Sequence, residues 1–359
     1  MRKTNQSMVF DIGSKNIKAV IGTSKNHQIE IYDYEIIPIP EDSVFDGRIL
    51  HKTKVAESIE GFHRKKGKRK HKIMVSISSS MTILRNFDLP KMEEEELKEA
   101  IRYEMEHLLP EPMENYIVDF TVLDEYLKDI EDGDKVPMVK VQTAALPRAI
   151  IMTYINTFEK AGLKIDAIDI QCNGIGKLFG GRKKFIKDFQ DEETIDKNIG
   201  IIDIGHQNTT ITIIEFGKVF LYRVIDKGGK DINRIVADTL GIDERAAEEW
   251  KSNTRFLDEE FYKDTPLPLK QYLQDLLMEV QRVIDFSISR STQKTLDRIY
   301  LIGGGAKIQN IAHYFQENLR IATILGNNYR NISVNGSETS FSEDLLYLSN
   351  ILGILLRKE

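Results

Sequence analysis

The sequence is poor in cysteine and in long apolar segments. Cys172 is the single cysteine among 359 residues, which excludes an internal disulfide and favours a reducing compartment. The first residues, MRKTNQSMVF, lack the apolar core of a signal peptide, and the late stretch LLYLSNILGILL is too short to cross a bilayer. We therefore expect a cytoplasmic protein. Because IDIQCNGIG places no histidine or other base beside Cys172, we expect a buried thiol rather than a nucleophile.

An excess of positive charge is absent as well. The formal net charge of −6, with 30% charged residues, argues against a general affinity for nucleic acid. The one strongly basic run, HRKKGKRKHK at 63–72, contains no aromatic residue, and we interpret it as an exposed loop rather than a lipid or nucleic-acid contact. A chain of 359 residues is long enough for two or more domains with substantial cores.

The stretch MVFDIGSKNIKAVIG, residues 8–22, predicts two short buried strands joined by a tight turn. In this turn Gly13 has no Cβ atom, so an anion can approach closely. The backbone N–H groups of Ser14, Lys15 and Asn16 can then face that anion. Lys18 adds a positive charge, and Asp11 fits beside an anion if a hydrated cation lies between them. The pattern favours a Mg-phosphate site, although Asp-x-Gly-Ser also occurs in ordinary hairpin turns.

The same pattern returns at 199–225, in IGIIDIGHQNTTITIIEFGKVFLYRVI. The second copy repeats the aspartate, glycine and asparagine positions of the first, at Asp203, Gly205 and Asn208. Each copy continues into a third apolar run, at 29–37 and 219–225, so each predicts a meander of three strands. An internal duplication of this kind predicts two similar domains that hold one ligand between them.

The segment between the two hairpins predicts a separate α+β module of about one hundred residues, in the order strand, helix, two strands, helix, strand. The first helix begins with the glutamates at 93–96, stops at Pro110 and carries an apolar face. That face consists of Leu97, Ile101, Met105 and Leu108. The two strands flank the polar hairpin KDIEDGDK, and the second helix ends at Gly162.

Three later features are candidates for ligand contacts. Gly228 and Gly229 precede a helix whose start can receive phosphate or ribose, or can be a plain first turn. Glu248 and Lys251 stand three apart on one helix face, which by itself indicates a surface ion pair. The small residues at 303–306 follow a buried strand and allow a backbone to approach a flat ring closely.

In their order along the chain, Asp11-x-Gly13-Ser14, Asp203-x-Gly205 and Gly-Gly-Gly-Ala at 303–306 resemble the two phosphate motifs and the adenosine motif of the actin-like ATPase superfamily. The inserted module is similar to that of the FtsA and PilM families. This second likeness is carried by Leu89-Pro90-x-Met92, Glu96-Leu97-x-x-Ala100-Ile101-x-x-Glu104, Pro110, Asp119, Ala161-Gly162-Leu163 and Ile168-Asp169. It implies an α/β actin-like ATPase fold of two ribonuclease-H-like domains with an inserted α+β FtsA/PilM-type subdomain.

The resemblance also implies subdomain boundaries. We predict subdomain IA at 1–72 and 169–198, the inserted subdomain IC at 73–168, subdomain IIA at 199–226 and 295–359, and subdomain IIB at 227–294.

The resemblance assigns an ATP site with Mg²⁺ held through water by Asp11 and Asp203. The turns after Gly13 and Gly205 cradle the phosphates, and Lys18 offsets their charge. Glu248 and Lys251 lie in Ala-Glu-x-x-Lys, which is similar to the stretch of the family that meets the ribose and base. The complete set of implied nucleotide contacts is Asp11, Gly13, Ser14, Lys15, Asn16, Lys18, Asp203, Gly205, Asn208, Thr209, Gly228, Gly229, Glu248, Lys251, Gly303, Gly304, Gly305 and Ala306.

Two departures from the family pattern affect the chemistry. PilM relatives often have Asp-x-Glu-Pro-x-Ala where this chain has DIQCNG at 169–174. The third residue lies near the γ-phosphate in actin-like proteins, so Gln171 is a candidate to orient a water, as the glutamine of actin does. Glutamine is a weaker base than a carboxylate, and we predict ATP binding with weak or no hydrolysis. His206 replaces a small residue, and we interpret it as a phosphate-side or solvent-facing neighbour rather than a catalyst.

The resemblance implies a scaffold of the type IV pilus assembly machinery. Such a protein docks the N-terminal cytoplasmic tail of a PilN-type inner-membrane protein, in a groove between the inserted module and the first domain. The protein then lies at the inner face of the membrane through its partner, without nucleic acid, and self-association stays open. The alternatives are an FtsA-like division filament, for which we expect no membrane tether after Glu359, and a small-molecule kinase, for which no substrate-side carboxylate stands out.

Overall fold

The computed structural model describes residues 6–26, 28–66, 70–129, 134–180, 197–291, 294–329, 332–334 and 341–357. Within these residues the chain forms sixteen β-strands and ten α-helices. The strands are β1 (Ser7–Ile12), β2 (Asn16–Lys25), β3 (Gln28–Pro38), β4 (Val44–Phe45), β5 (Arg48–Ile49), β6 (Lys72–Ile77), β7 (Ile83–Pro90), β8 (Tyr116–Asp129), β9 (Lys135–Pro147), β10 (Ala167–Ile170), β11 (Ile199–Ile204), β12 (Thr209–Glu215), β13 (Lys218–Ile225), β14 (Arg298–Ile302), β15 (Thr323–Leu325) and β16 (Ile332–Val334). The helices are α1 (Lys52–Lys65), α2 (Glu94–Glu106), α3 (Arg148–Lys160), α4 (Gln171–Phe179), α5 (Gly229–Leu240), α6 (Glu244–Asn253), α7 (Glu259–Tyr262), α8 (Leu267–Arg290), α9 (Ile311–Leu319) and α10 (Phe341–Leu355).

Two mixed sheets form the centres of two similar domains. The strand order is β10-β6-β1-β2-β3-β16 in the first sheet and β13-β12-β11-β14-β15 in the second. In each sheet three consecutive strands form an antiparallel meander, and the first strand of the meander also pairs in parallel with β6 or β14. The α/β fold with two repeated domains that the sequence predicts is therefore confirmed.

Apolar side chains at strand and helix spacing build three large cores. The first lies between the first sheet and helices α1 and α3, where Phe10 packs edge-on against Phe62 and Phe158. The second covers the second sheet with α5, α8 and α9. The third holds α4 and α10 and contains side chains of both sheets, such as Val9 and Ile201. Because this third core draws on both sheets, burial of its apolar surface joins the two domains.

Helices α4 and α10 cross in this shared core at a pair of glycines. A Cβ atom on Gly353 would overlap the carbonyl oxygen of Gly174, and one on Gly174 would lie 2.7 Å from the carbonyl oxygen of Asn350. The crossing therefore requires glycine on both helices. Cys172 lies on α4 and is fully buried, and burial raises the pKa of its thiol, so the predicted buried thiol is confirmed.

The inserted module is a three-stranded antiparallel sheet, in the order β7-β9-β8, packed against α2. Leu97, Ile101 and Met105 of α2 bury their side chains against Val139 and Val141 of β9. The predicted apolar face of this helix is confirmed at these three positions. The prediction is wrong for Leu108, because the helix ends at Glu106 and Leu108 is 42% exposed.

The boundaries of the inserted module differ from the predicted 73–168. Strand β6 pairs with β1 and β10 and so belongs to the first sheet, and α3 buries Tyr154 and Phe158 in the core of the first domain. The module therefore consists of the elements from β7 to β9. An amphipathic pattern predicts that a helix has a buried face, but it does not say against which sheet that face packs.

The predicted boundary of the second domain is also wrong for one strand. Strand β16 pairs with β3 in the first sheet, although the sequence assigned 295–359 to the second domain.

The basic run is a loop only in part. Residues 63–65 are the last turn of α1, and 67–69 lie outside the described residues. The tip of the predicted hairpin KDIEDGDK, at 130–133, also lies outside them.

Candidate functional site

A cavity of about 700 Å³ lies between the two domains, and its walls come from both. The two meander turns form one end, and α6, the 3₁₀ turn Gly304–Lys307 and α10 form the rest. The residues predicted from the sequence that line it are Asp11, Gly13, Ser14, Lys15, Asn16, Lys18, Gln171, Asp203, Gly205, Asn208, Gly229, Glu248, Lys251, Gly303, Gly304, Gly305 and Ala306. Thr209 and Gly228 do not line it. Thr209 Oγ1 donates to the Lys227 carbonyl at 2.8 Å, and Tyr272 donates to the Gly228 carbonyl at 2.9 Å.

The two meander turns have the same internal hydrogen bond. Gly13 N–H donates to the Asn16 carbonyl at 3.0 Å, and Gly205 N–H donates to the Asn208 carbonyl at 2.9 Å. The second turn is also fastened to the start of α5, because Gly229 N–H donates to the Gly205 carbonyl at 2.9 Å. Two equivalent tight turns from the two domains therefore face one cavity, an arrangement suited to an anion.

An aspartate lies near the end of the first strand of each meander, beside these turns: Asp11 is buried and Asp203 is partly buried. The Asp11 carboxylate accepts a hydrogen bond from Lys18 Nζ at 2.9 Å, across the β1–β2 pair. Burial lowers the pKa of Lys18, but the carboxylates of Asp11 and Asp203 outweigh burial and raise it above the ordinary value. In the β11–β12 pair Thr210 lies opposite Asp203, so the second meander has a threonine where the first has Lys18.

Asp203 has amide partners instead of a lysine. Its Oδ2 accepts from Gln171 Nε2 at 2.7 Å and from Asn350 Nδ2 at 2.8 Å. Burial raises the pKa of Asp203, opposed by Lys18 and by these two amides. Asn350 itself is 5% exposed, and its Oδ1 has no hydrogen-bond partner among the described residues. The carboxylates of Asp11 and Asp203 and the unsatisfied amide oxygen of Asn350 are oxygen groups of the kind that surround a hydrated divalent cation, so this end of the cavity fits such an ion.

Gly303 begins the glycine triplet with a φ of +84°, in the left-handed region. A Cβ atom there would clash with the Asp203 carboxylate, so packing within the protein itself requires glycine. The triplet leads into the 3₁₀ turn and lies beside Tyr347 of α10. Its backbone lines the cavity, as the prediction of a close approach to a flat ring requires.

Glu248 of α6 forms an ion pair with Lys15 of the first turn, across the space between the domains. Burial opposes ionisation of Glu248, but Lys15 lowers its pKa overall. Lys251 is buried, and its Nζ donates to the Gly229 carbonyl at 3.3 Å. Burial lowers the pKa of Lys251 to about 8. The interpretation of Glu248 and Lys251 as a surface ion pair is therefore wrong: the carboxylate pairs with the other domain, and the lysine is buried.

His206 lines the cavity directly after Gly205. Burial, together with the positive charges of Lys15 and Lys251, lowers the pKa of this imidazole to about 4. It is therefore a neutral group near pH 7.

Gln171 is the first residue of α4, and both ends of its amide are engaged. Its Nε2 donates to Asp203, and its Oε1 accepts from the Tyr222 hydroxyl at 3.3 Å. The Tyr222 hydroxyl also lies 3.1 Å from Ser78 Oγ. The carbonyl that could orient a water is thus already bonded to protein.

Sequence reasoning missed Asn350, Tyr347 and Tyr222. The one available signal was Asn350 itself, a polar residue inside the otherwise apolar stretch that becomes α10. Its contact with Asp203 joins positions 147 residues apart, and no local pattern predicts such a pairing.

A second cavity, of about 610 Å³, lies at the inserted module. It is bounded by α2, the 3₁₀ turn Met113–Asn115, the first half of β8 and Arg148 at the start of α3. Because α3 belongs to the core of the first domain, this cavity lies where the module meets that domain.

Two other features, a cluster of metal ligands and a membrane-spanning helix, are absent from the described residues. These residues contain no group of three or more His, Cys, Asp or Glu side chains arranged to hold a metal ion. No helix among them combines the length and apolar character needed to cross a bilayer.

Comparison with known proteins gives three findings. The family model of the type IV pilus assembly protein PilM matches residues 10–358. The cell division protein FtsA of Bacillus subtilis (strain 168) is 24% identical over 262 residues, which are 67% of this chain and 56% of that protein, so the chain spans little more than half of it.

Solved structures show the same fold. The PilM-PilN type IV pilus biogenesis complex contains a chain that is 23% identical, with a TM-score of 0.81 and coverage of 99% of this chain and 98% of that one. MreB 5 of Spiroplasma citri bound to AMPPNP is 12% identical, with a TM-score of 0.50 and coverage of 98% and 96%. The predicted actin-like ATPase fold is thereby confirmed.

Proposed function

Because the chain belongs to the family of the type IV pilus assembly protein PilM, we propose that it is an ATP-binding scaffold of the pilus assembly machinery. Its partner is the cytoplasmic tail of a PilN-type inner-membrane protein, which holds it at the inner face of the membrane. The likeness to the solved PilM-PilN complex supports this choice of partner.

The single observation that carries nucleotide binding is the pair of equivalent turns, each with an aspartate beside it, that face one cavity. Backbone N–H groups of the two turns and Lys18 bind the phosphates, and Glu248 and Lys251 contact the ribose and base. Asp11 and Asp203 hold Mg²⁺ through water, as expected for an ion that keeps several waters and shares phosphate oxygens. When bound, the ion offsets phosphate charge that Lys18 alone leaves uncompensated.

Slow hydrolysis follows from the state of Gln171. A residue that orients the attacking water must direct an acceptor at it, and the Oε1 of Gln171 already accepts a hydrogen bond from Tyr222, which fixes the amide and leaves one of its two acceptor sites. ATP then acts as a resident ligand that joins the two domains.

Nucleotide binding is tested with the double variant Asp11→Asn, Asp203→Asn and a fluorescent ATP analogue. Both changes keep the side-chain volume, so the fold is retained, and circular dichroism checks this. We expect the variant to lose at least tenfold in affinity in the presence of Mg²⁺, since it loses both carboxylates of the cation site. Unchanged affinity would show that the cavity between the domains is not the nucleotide site.

The cavity at the inserted module is the proposed docking groove for the partner tail. Strand β8 is an edge strand of its sheet, so its outer backbone groups are available to an added strand. Ile117 on this strand is 37% exposed and lines the cavity. The charged residues of the lining are Lys98, Arg102, Arg148, Glu114 and Asp119, three basic and two acidic. An extended peptide with apolar side chains and charged side chains of both signs fits this lining.

The groove is tested with Ile117→Glu, which places a charge in the apolar part of the lining. Leu240→Glu is the matched control, because Leu240 is similarly exposed at 43% and lies at the end of α5, away from the groove. We expect Ile117→Glu to weaken binding of a labelled partner-tail peptide at least tenfold while Leu240→Glu leaves it unchanged. Equal affinities of the two variants would place the peptide elsewhere.

A further inference from the structure

The C-terminal helix α10 contributes a polar side chain to the cavity between the domains. Asn350 lines this cavity and is 5% exposed, although the neighbouring turns of α10 are apolar. The helix is held in place by the glycine crossing with α4, so the position of Asn350 relative to Asp203 is set by packing rather than by a mobile loop.

The hydrogen bond to Asp203 determines which way the Asn350 amide points. A carboxylate only accepts hydrogen bonds, so the group that Asn350 presents at 2.8 Å to Asp203 Oδ2 is its NH₂. The Oδ1 atom is then the free end, and it is buried without a partner among the described residues. An unsatisfied buried acceptor is unfavourable, and because Asn350 lines the cavity, a ligand held there can supply the missing donor.

The nature of that donor follows from its surroundings. Phosphate groups offer acceptors only, so they cannot satisfy Oδ1. The Lys18 ammonium donates to Asp11 and makes no hydrogen bond with Oδ1. Water bound to a divalent cation is a donor, and the Asp203 carboxylate beside Asn350 is the proposed site of such a cation.

We propose that Asn350 is a further residue of the cation site: its Nδ2 holds Asp203 in position, and its Oδ1 accepts a hydrogen bond from the hydration shell of the divalent cation. This inference rests on the proposed function. Asn350 does not touch the nucleotide in this account, so it affects nucleotide binding only through the cation.

The test measures the dissociation constant of a fluorescent ATP analogue twice, once with Mg²⁺ and once with EDTA, on the full chain. We expect Asn350→Leu, which keeps the side-chain size, to bind about tenfold more weakly than the parent with Mg²⁺, since residues that support metal ligands carry effects of this size. Its affinity in EDTA should equal that of the parent. Asn350→Ser, which fits the same space, should show the same selective loss if the leucine variant fails to fold.

Asn233→Leu is the control for a merely structural role. Asn233 on α5 is 3% exposed and its Oδ1 likewise has no partner among the described residues, but it does not line the cavity. It should lower stability and leave the ratio of the two dissociation constants unchanged. Equal losses in Mg²⁺ and EDTA for Asn350→Leu, or no loss in either, would overturn the inference. A parent protein that binds no nucleotide in either condition would instead overturn the proposed function.

Discussion

A single imidazole makes the stability of the unliganded protein depend on pH. His206 has a pKa of about 4 in the folded protein, below its ordinary value of 6.5, because it is partly buried and lies near the positive charges of Lys15 and Lys251. Between these values the unfolded chain binds more protons, so the free energy of unfolding rises with pH there and is reduced as pH falls. We expect denaturant unfolding to show a larger gain in stability from about pH 4.5 to about pH 7 for the parent than for His206→Asn. Identical gains would show that His206 titrates normally.

The hydroxyl of Tyr222 takes one of the two acceptor sites of the Gln171 carbonyl. Tyr222→Phe removes the donor at 3.3 Å from Gln171 Oε1, so both acceptor sites become available to water. We expect phosphate release from ATP to rise about tenfold, a modest share of what a positioned catalytic group contributes. The double variant Tyr222→Phe, Gln171→Leu should stay at the parent rate. An unchanged rate in the single variant would remove Gln171 from any catalytic role.

At the scale of helices, the crossing of α4 and α10 tolerates no added atom. Gly353→Ala would force its Cβ into the Gly174 carbonyl, so we expect a loss of about 1–3 kcal/mol in the free energy of unfolding. Gly61→Ala on α1 is the matched control, because no atom lies within 4 Å of its added Cβ. That change should stabilise the protein by about 0.5–1 kcal/mol, through better helix propensity. Chemical denaturation measures both, and a stabilising Gly353→Ala would contradict the described packing.

Local patterns explain which elements the sequence predicts well. The two meanders were predictable because alternating buried strands and the Asp-x-Gly turn are both encoded within about thirty residues. The assignment of β6 and α3 to the first domain was not predictable, because the sequence of an apolar strand or an amphipathic helix does not indicate which sheet the element packs against. The partner of Glu248 was missed for the same reason: Lys15 lies on another domain, 233 residues away in the chain.

For the whole molecule, the nucleotide is expected to stabilise both domains together, since each provides one turn and one aspartate. At about 100 times its dissociation constant, a ligand specific for the folded state adds about 2.7 kcal/mol to the free energy of unfolding. Trp250 on α6, the only tryptophan in the sequence, stacks on Phe256 in the second domain and reports on that domain. Mg-ATP should raise the unfolding midpoint equally by tryptophan fluorescence and by circular dichroism. A shift in fluorescence alone would indicate that the ligand contacts only the second domain.

The proposed function gives the protein two sites, one for a nucleotide between the domains and one for a partner peptide at the inserted module. The most direct measurement is a fluorescence titration of the protein with a labelled peptide from the cytoplasmic tail of its PilN-type partner, with and without Mg-ATP. We predict saturable binding that Ile117→Glu weakens at least tenfold. Absence of binding in both nucleotide states would contradict the scaffold function.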